Sequence, residues 1–199
     1  MKRFTIVATY YQNAVTDEEL DRFMTSIEAQ TFKDFELLLI HDGKLLRPCK
    51  YPCIETKERK NMWGHNLRDI GIQRAQGEYI LHTNADNVYT KNALEVLNDE
   101  IEPEYGVYTM HCAMMGLNND EKLGKVWYDI PRDYSKCTVL KGYPKMGAID
   151  LMQVCISKEV WDNAGGWSIT SETSDGILIE SICNIYPYKM IDALIGWHY

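Results

Sequence analysis

Asp86 closes an apolar run inside Thr83-Asn84-Ala85-Asp86-Asn87, and a carboxylate at the end of a buried strand is placed to meet a ligand. Such a group suits a hard divalent cation. Mg2+ and Mn2+ favour oxygen donors and need only one or two carboxylates when phosphates supply the rest. The same residues are ordinary turn chemistry, so the segment alone leaves both uses open. Asp42, before Gly43, is a turn aspartate or an acceptor for the imino or amino group of a base. Asp175 follows Ser174, a candidate N-cap, and either complements a helix dipole or acts as a general base facing a cleft. His198 beside Trp197 is a core histidine or a neutral imidazole on a metal. Tyr10 and Tyr11 either pack or offer a stacking platform. Arg59 and Lys60, in the run Lys57-Glu58-Arg59-Lys60, lie on a solvated face or meet a diphosphate. Gly165-Gly166 lacks phosphate-loop spacing and reads as a tight turn.

These residues need elements to position them. Phe4 to Thr9 is a β-prone run ending in Tyr10-Tyr11-Gln12-Asn13. Thr16 and Glu19 form a capping box, and Leu20, Phe23, Met24 and Ile27 recur at helix spacing to about Gln30. Residues 35–40 are a continuous apolar run, the pattern of a parallel strand covered on both faces. A helix is predicted from Asn66 to Ala75, with Gly77 as its stop, then a strand over 77–83 and a helix over 91–101. This alternation argues for an α/β fold with a mostly parallel sheet flanked by helices. Thr9 to Tyr11, Asp42 and Asn84 to Asp86 then fall at the C-terminal ends of three strands, the edge where open α/β sheets bind ligands. After residue 103 the pattern is mixed. Strands are predicted over 107–115 and 149–157, a short helix over 158–163, a helix from Ser174 and a last apolar run over 190–197.

With 199 residues the chain suits one domain. A formal charge of −8 repels a phosphate backbone, so nucleic acid is excluded as a partner. No apolar run reaches the ~20 residues a bilayer needs, so no membrane span is expected. The run after Met1-Lys2-Arg3 is too brief for an export signal, and the expected location is cytoplasmic. All six cysteines read as structural and reduced, with Cys112, Cys155 and Cys183 in apolar stretches. Cys49 and Cys53 lack a second pair at zinc spacing.

Taken in order, five segments resemble the inverting glycosyltransferases of family 2, which have the GT-A fold, a Rossmann-like α/β domain that binds a nucleotide sugar. The likeness runs over roughly residues 3–198. Residues 7–13 (VATYYQN) resemble the family's first strand and loop. Residues 26–43 resemble the stretch that ends in Asp-Asp-Gly, and 66–80 the Ala-Arg-Asn to Gly-Glu-Tyr-Ile segment. Residues 83–87 stand at the metal-binding Asp-X-Asp motif, and 165–178 at the Gly-Gly segment followed by the element that supplies the base.

The resemblance implies a single catalytic domain over 1–199, with a nucleotide-sugar-binding half (1–103) and an acceptor half (104–199). Such domains are often one module of a longer chain. It implies that Thr9, Tyr11 and Asp42 hold the nucleoside, with uracil the most frequent base. Arg59 would lie near the nucleotide, Arg68 would support the floor, and Asn84 would approach the ribose or the metal. Asp86, with His198, would bind Mn2+ or Mg2+ together with the diphosphate, and Asp175 would be the base. Asp150 and Gln153 are candidates, on position alone, to touch a glycan or glycoconjugate acceptor. The chain departs from the family at Asn84 and Ala85, which bring no charge, at Asp69 in place of an asparagine, and at Ser174, which leaves Glu172 as a rival base.

A second reading is a catalytically silent nucleotide-sugar-binding module, motivated by Asn84 and Ala85 and opposed by the presence of both Asp86 and Asp175. A third, a nucleotidyltransferase, would need a glycine-rich basic loop after the first strand, and residues 9–16 (TYYQNAVT) have neither glycine nor a base. Nothing in the sequence names the sugar.

Overall fold

The computed structural model describes residues 2–61, 64–116, 133–167 and 174–199. Its strands are β1 (Lys2–Tyr10), β2 (Phe35–His41), β3 (Ile54–Glu55), β4 (Gly77–Asn84), β5 (Val88–Tyr89), β6 (Val107–Met115), β7 (Cys137–Leu140), β8 (Val154–Ser157) and β9 (Tyr188–His198). The helices are α1 (Asp17–Glu28), α2 (His65–Arg74), α3 (Ala93–Glu100), α4 (Lys158–Ala164) and α5 (Ser174–Cys183). All nine strands join one sheet in the order β3-β2-β1-β4-β8-β6-β9-β5, with β7 beside the second half of β6. β2 and β4 run parallel to β1, β3 to β2, and β9 to β6, while β8 is antiparallel to both β4 and β6. Only β5, β7 and β8 oppose the common direction, so the sheet is mostly parallel, as the alternation predicts.

The first strand explains the two-layer core. Phe4, Ile6 and Ala8 point to one face, where they meet Leu20, Phe23 and Ile27 of α1 and Leu94 and Leu97 of α3. Val7 points to the other face, among Leu67 and Ile72 of α2, Trp161 of α4 and Ile179 of α5. Burying each such side chain stabilises the fold by roughly 1.5–3 kcal/mol. The capping box of α1 is present in full. Thr16 Oγ1 accepts from the Glu19 N–H at 3.2 Å, and Glu19 Oε2 accepts from the Thr16 N–H at 2.8 Å.

Helix α2 owes its position to glycine. Gly64, at φ +80°, lies where a Cβ would come within 2.9 Å of Thr9 Oγ1. A Cβ at Gly71 would come within 2.3 Å of Val7 Cγ1. Both gaps let α2 lie flat on the end of β1.

Several sequence expectations need correction. Gly77 does not stop α2; the helix ends at Arg74, and Gly77 opens β4, where a Cβ would meet the Thr5 nitrogen at 2.4 Å. The strand predicted over 149–157 is shorter, because Asp150 caps a single 3-10 turn (Leu151–Gln153) and extended pairing begins at Val154. β2 is only half-buried over its first four residues, since β3 covers it near its C-terminal end alone. β3, β5 and β7 were not anticipated. All six cysteines are free thiols: Cys112 and Cys155 are buried, Cys183 is half-buried, and Cys137 is exposed on β7. Among the described residues no helix is long and apolar enough to cross a membrane.

Candidate active site

Parallel register gathers the polar strand ends. Thr9 stands opposite Ile40 on one side and Asn84 on the other, so Thr9, Asp42 and Asn84 share one edge of the sheet. They line a cavity of about 530 Å³ together with Tyr11, Arg59 and Asp86. With Tyr10, seven residues singled out from sequence thus border one space.

Asp42 is buried and organises the rim. Its carboxylate accepts the main-chain N–H of Lys60, and that of Asn61 at 2.9 Å, with Arg59 Nε 3.6 Å away. Each oxygen retains a second acceptor position for a ligand. The Arg59 guanidinium lies 3.8 Å over the Tyr11 ring, a cation–π contact at the mouth. Tyr10 also borders the cavity but packs into the core, and burial pushes its hydroxyl up to about 12.

Asn84 Oδ1 accepts from Thr9 Oγ1 at 2.7 Å and from Arg68 Nη2 at 3.1 Å. Arg68 is buried beneath the cavity rather than lining it, so it supports the floor through Asn84. Asp86 follows in the turn between β4 and β5. Its Oδ1 is buried with no hydrogen-bond partner among the described residues. Burial pushes its carboxyl above the ordinary range, His198 pulls it down, and Glu19 and Asp150 add to the rise. The turn is clamped from outside. Arg22 of α1 donates to the Asp86 carbonyl at 3.2 Å and stacks 3.9 Å over the Tyr199 ring, while the Tyr199 N–H donates to Asn87 Oδ1. Sequence reasoning missed Arg22, which carries no motif.

Beyond Asp86 lies a cluster of ionisable groups. Asp150 Oδ1 accepts the Met152 N–H at 2.9 Å, and its Oδ2 sits 3.5 Å from His198 Nε2. His198 Nδ1 is buried without a hydrogen-bond partner among the described residues. Asp175 stands in the first turn of α5, which begins at Ser174 itself rather than after it as a cap. Burial raises the Asp175 carboxyl to about 6, Asp150 adds to that, and Arg68, His198 and the Leu151 N–H oppose it. His65 Nδ1 lies 3.6 Å from Asp175 Oδ1 and 2.7 Å from Arg68 Nη1. Its ring stacks on Trp167 at 4.8 Å and 17°. His65 was also missed; it precedes the polar helix and stands out in no pattern. Gly165 and Gly166, at φ +77° and +74°, make the turn that delivers Trp167, whose N–H donates to Asp69 Oδ1 at 3.0 Å.

Gln153 is not available to an acceptor. It is fully buried, its Nε2 donates to the Met110 and Leu140 carbonyls, and its Oε1 accepts from the Asp150 N–H. It bridges the point where β8 gives way to β7 beside β6. Glu172, the rival base, lies outside the described residues.

A hard cation fits the Asp86 end of this cluster. The orphaned Asp86 oxygen and His198 nitrogen are donors of the right kind, and burial excludes competing water. No group of three or more His, Cys, Asp or Glu side chains among the described residues is arranged to hold a metal. The protein would thus contribute one or two ligands and a bound phosphate group the others.

The fold has solved counterparts. The chain superimposes on a crystallised segment (1–349) of S. aureus TarS with a TM-score of 0.70 at 12% identity, covering 98% of this chain and 60% of that one. It superimposes on the mannosyltransferase PcManGT from Pyrobaculum calidifontis, solved with GDP-Man and Mn2+, with a TM-score of 0.65 at 13% identity, covering 99% and 56%. In sequence it is 31% identical over 103 residues to the cholesterol galactosyltransferase of Borreliella burgdorferi, which is 48% of this chain and 28% of that protein. It is 31% identical over 78 residues to an uncharacterized glycosyltransferase of Rickettsia bellii, covering 36% and 11%. The chain therefore spans less than a third of either of these two relatives. The family model "Glycosyl transferase family 2" matches residues 5–148, nearly three-quarters of the sequence, and takes in the strands whose ends build the cavity. On that match, the chain belongs to glycosyl transferase family 2.

Proposed function

We propose that the protein is a metal-dependent, inverting glycosyltransferase. It moves a sugar from a nucleoside diphosphate donor, UDP-sugar by preference, to a hydroxyl of a glycan or glycoconjugate acceptor. The observation that carries this reading is the convergence of Asp86 and Asp175. Both feel Asp150 and His198, and Asp86 borders the cavity that Thr9, Tyr11, Asp42 and Arg59 enclose. The ligands named with the solved counterparts of the fold support a diphosphate donor: UDP and UDP-GlcNAc for TarS, GDP-Man for PcManGT.

Tyr11 and Arg59 would flank the base, Asp42 would read its edge, and Thr9 and Asn84 would support the ribose. Asp86 and His198 would hold Mn2+ or Mg2+, a Lewis acid that stabilises charge on the departing diphosphate when bound. Asp175 takes the proton of the acceptor hydroxyl as the oxygen attacks the anomeric carbon from the face opposite the leaving group, which inverts it. A carboxyl held near 6 suits this task, being ionised at neutral pH yet more basic than an exposed aspartate. Residues 1–103 would serve the donor and 104–199 the acceptor, in one domain. We place the protein in the cytoplasm, where six free thiols would persist.

Asn84 favours one other reading. Its amide is engaged by Thr9 and Arg68 and brings no charge to the metal, as a silent nucleotide-sugar-binding module would allow. Isothermal titration of UDP, GDP and UDP-glucose, each with Mn2+, Mg2+ or EDTA, separates the two. Metal-dependent binding of one diphosphate, abolished in Asp86→Ala, is expected. Binding indifferent to metal would favour the silent module, and no binding at all would sink both.

A further inference from the structure

A chain of contacts joins the floor of the cavity to Asp175. Thr9 donates to Asn84, Arg68 donates to the same Asn84 oxygen through Nη2, and its Nη1 lies 2.7 Å from His65 Nδ1. A guanidinium only donates, so Nδ1 must accept, and the imidazole carries its proton on Nε2. Both of these acceptors of Arg68 are neutral. Asp175 Oδ1 is 3.6 Å from that same Nδ1, close enough to feel the guanidinium charge, and has no hydrogen-bond partner among the described residues. The Trp167 ring fixes the imidazole plane by stacking on it, and Arg68 itself lies 5.2 Å from that ring.

We infer that His65 is a positioning residue for the base: it takes the Arg68 N–H that would otherwise turn to Asp175, and so preserves the basicity of that carboxylate. The inference rests on the transferase reading above and goes beyond it, since it assigns a role to His65. In the reaction the acceptor proton passes to a carboxylate oxygen of Asp175, the acceptor oxygen forms the new bond to the anomeric carbon, and the bond to the diphosphate breaks. Among the described residues, the groups facing Asp175 are Arg68 and His65 from α2, Asp150 from the turn before β8, and His198 from β9.

The test is the Asp175 carboxyl 13C signal, assigned by its loss in Asp175→Asn, followed against pH. His65→Phe keeps a ring for Trp167 but removes the acceptor that Nδ1 gives to Arg68 Nη1, so the midpoint falls by about one unit or more as that N–H turns to the carboxylate. His65→Asn places an amide oxygen near the position of Nδ1 and restores the midpoint to within a few tenths. The low-pH limb of kcat/KM moves in the same sense in each variant. A His65→Phe protein that unfolds at the wild-type temperature and keeps the wild-type midpoint overturns the inference, as does His65→Asn shifting as far as His65→Phe. The imidazole 15N shifts of the unmutated protein give a second check that needs no variant. A proton on Nδ1 at neutral pH would overturn the arrangement, and one on Nε2 supports it. The base assignment fails separately, if Asp175→Asn keeps near-wild-type transfer while the carboxyl still responds to His65.

Discussion

Asp150 Oδ2 lies 3.5 Å from His198 Nε2, tying the turn that opens β8 to the far end of β9. The same carboxylate caps its own 3-10 turn through Oδ1, so one side chain serves both architecture and the ionisable cluster. Substitution can separate the two uses. Asp150→Asn keeps the cap, since asparagine caps as well as aspartate, but removes a negative charge that raises Asp175. Its expected effect is a lower Asp175 midpoint with little change in thermal unfolding. Asp150→Ala loses the cap too, at a further cost of about 1 kcal/mol. Equal midpoints in wild type and Asp150→Asn would refute the coupling.

Asp175 sets activity against stability. In the unfolded chain its carboxyl ionises near 3.8 and in the fold only near 6, so the folded state gains by holding the proton. That benefit is complete below the unfolded value and is lost as pH rises through the folded one. Asp175→Asn keeps a neutral group at every pH and is expected to be more stable than wild type above pH 7, by about 3 kcal/mol for a shift of roughly two units. Its turnover falls about 10²–10⁴-fold, with UDP affinity preserved. Wild-type kcat/KM rises with pH through about 6. Denaturation at pH 5 and pH 8, beside initial rates, checks both halves; equal stability at pH 8 would contradict the burial argument.

Asp42 holds the rim. Its carboxylate accepts two successive main-chain N–H groups, and such charge-assisted bonds contribute about 1.5–3 kcal/mol each. In Asp42→Ala the 59–61 segment loses its anchor and Arg59 its place over Tyr11. UDP affinity is expected to fall by roughly tenfold or more, about 1.4 kcal/mol per decade. Unchanged affinity by titration would remove Asp42 from the nucleotide site.

Gly64 tests how α2 is seated. At φ +80° and against the Thr9 side chain, Gly64→Ala meets both backbone strain and a clash. A left-handed residue with a Cβ costs about 1–2 kcal/mol, which lowers the unfolding temperature by roughly 2–8 °C in a chain of this size. Nucleotide binding weakens with it, because Thr9 must move. A variant that melts like wild type would show that α2 sits further from β1.

Gln153→Ala separates a structural role from an acceptor role. It strands the Met110 and Leu140 carbonyls and the Asp150 N–H, for a loss of about 2–4 kcal/mol. Acceptor KM, measured where the variant stays folded, should match wild type. A raised KM without a loss of stability would return Gln153 to the acceptor site.

The parts legible in the sequence are those whose signals are local. An apolar run that breaks into Thr, Asp or Asn marks a strand end, and parallel pairing brings Thr9, Asp42 and Asn84 together without further instruction. The capping box at Thr16 is written in four residues. His65 and Arg22 were invisible because their roles come from docking: His65 depends on two glycines that seat α2, and Arg22 on a turn 64 residues away. β3 and β5 have two residues each, too few to show a period, and pairing with neighbours alone makes them strands. Gly77 misled because a glycine after a helix usually marks a stop, whereas here the missing side chain admits the backbone of β1.

The place of β9 in the sheet has a consequence for how the catalytic centre comes into being. β9 runs between β6 and β5, and among the described strands β5 pairs with β9 alone. While a ribosome is still making the chain, the segments up to β4 can associate, and the turn bearing Asp86 has only β1 and Arg22 of α1 to settle against. His198 and the Tyr199 platform for Arg22 arrive about a hundred residues later. Such long-range pairing is slow to form. The cavity is therefore begun early and sealed last, so a nascent or truncated chain would hold the Thr9 and Asp42 rim before it holds the His198 end.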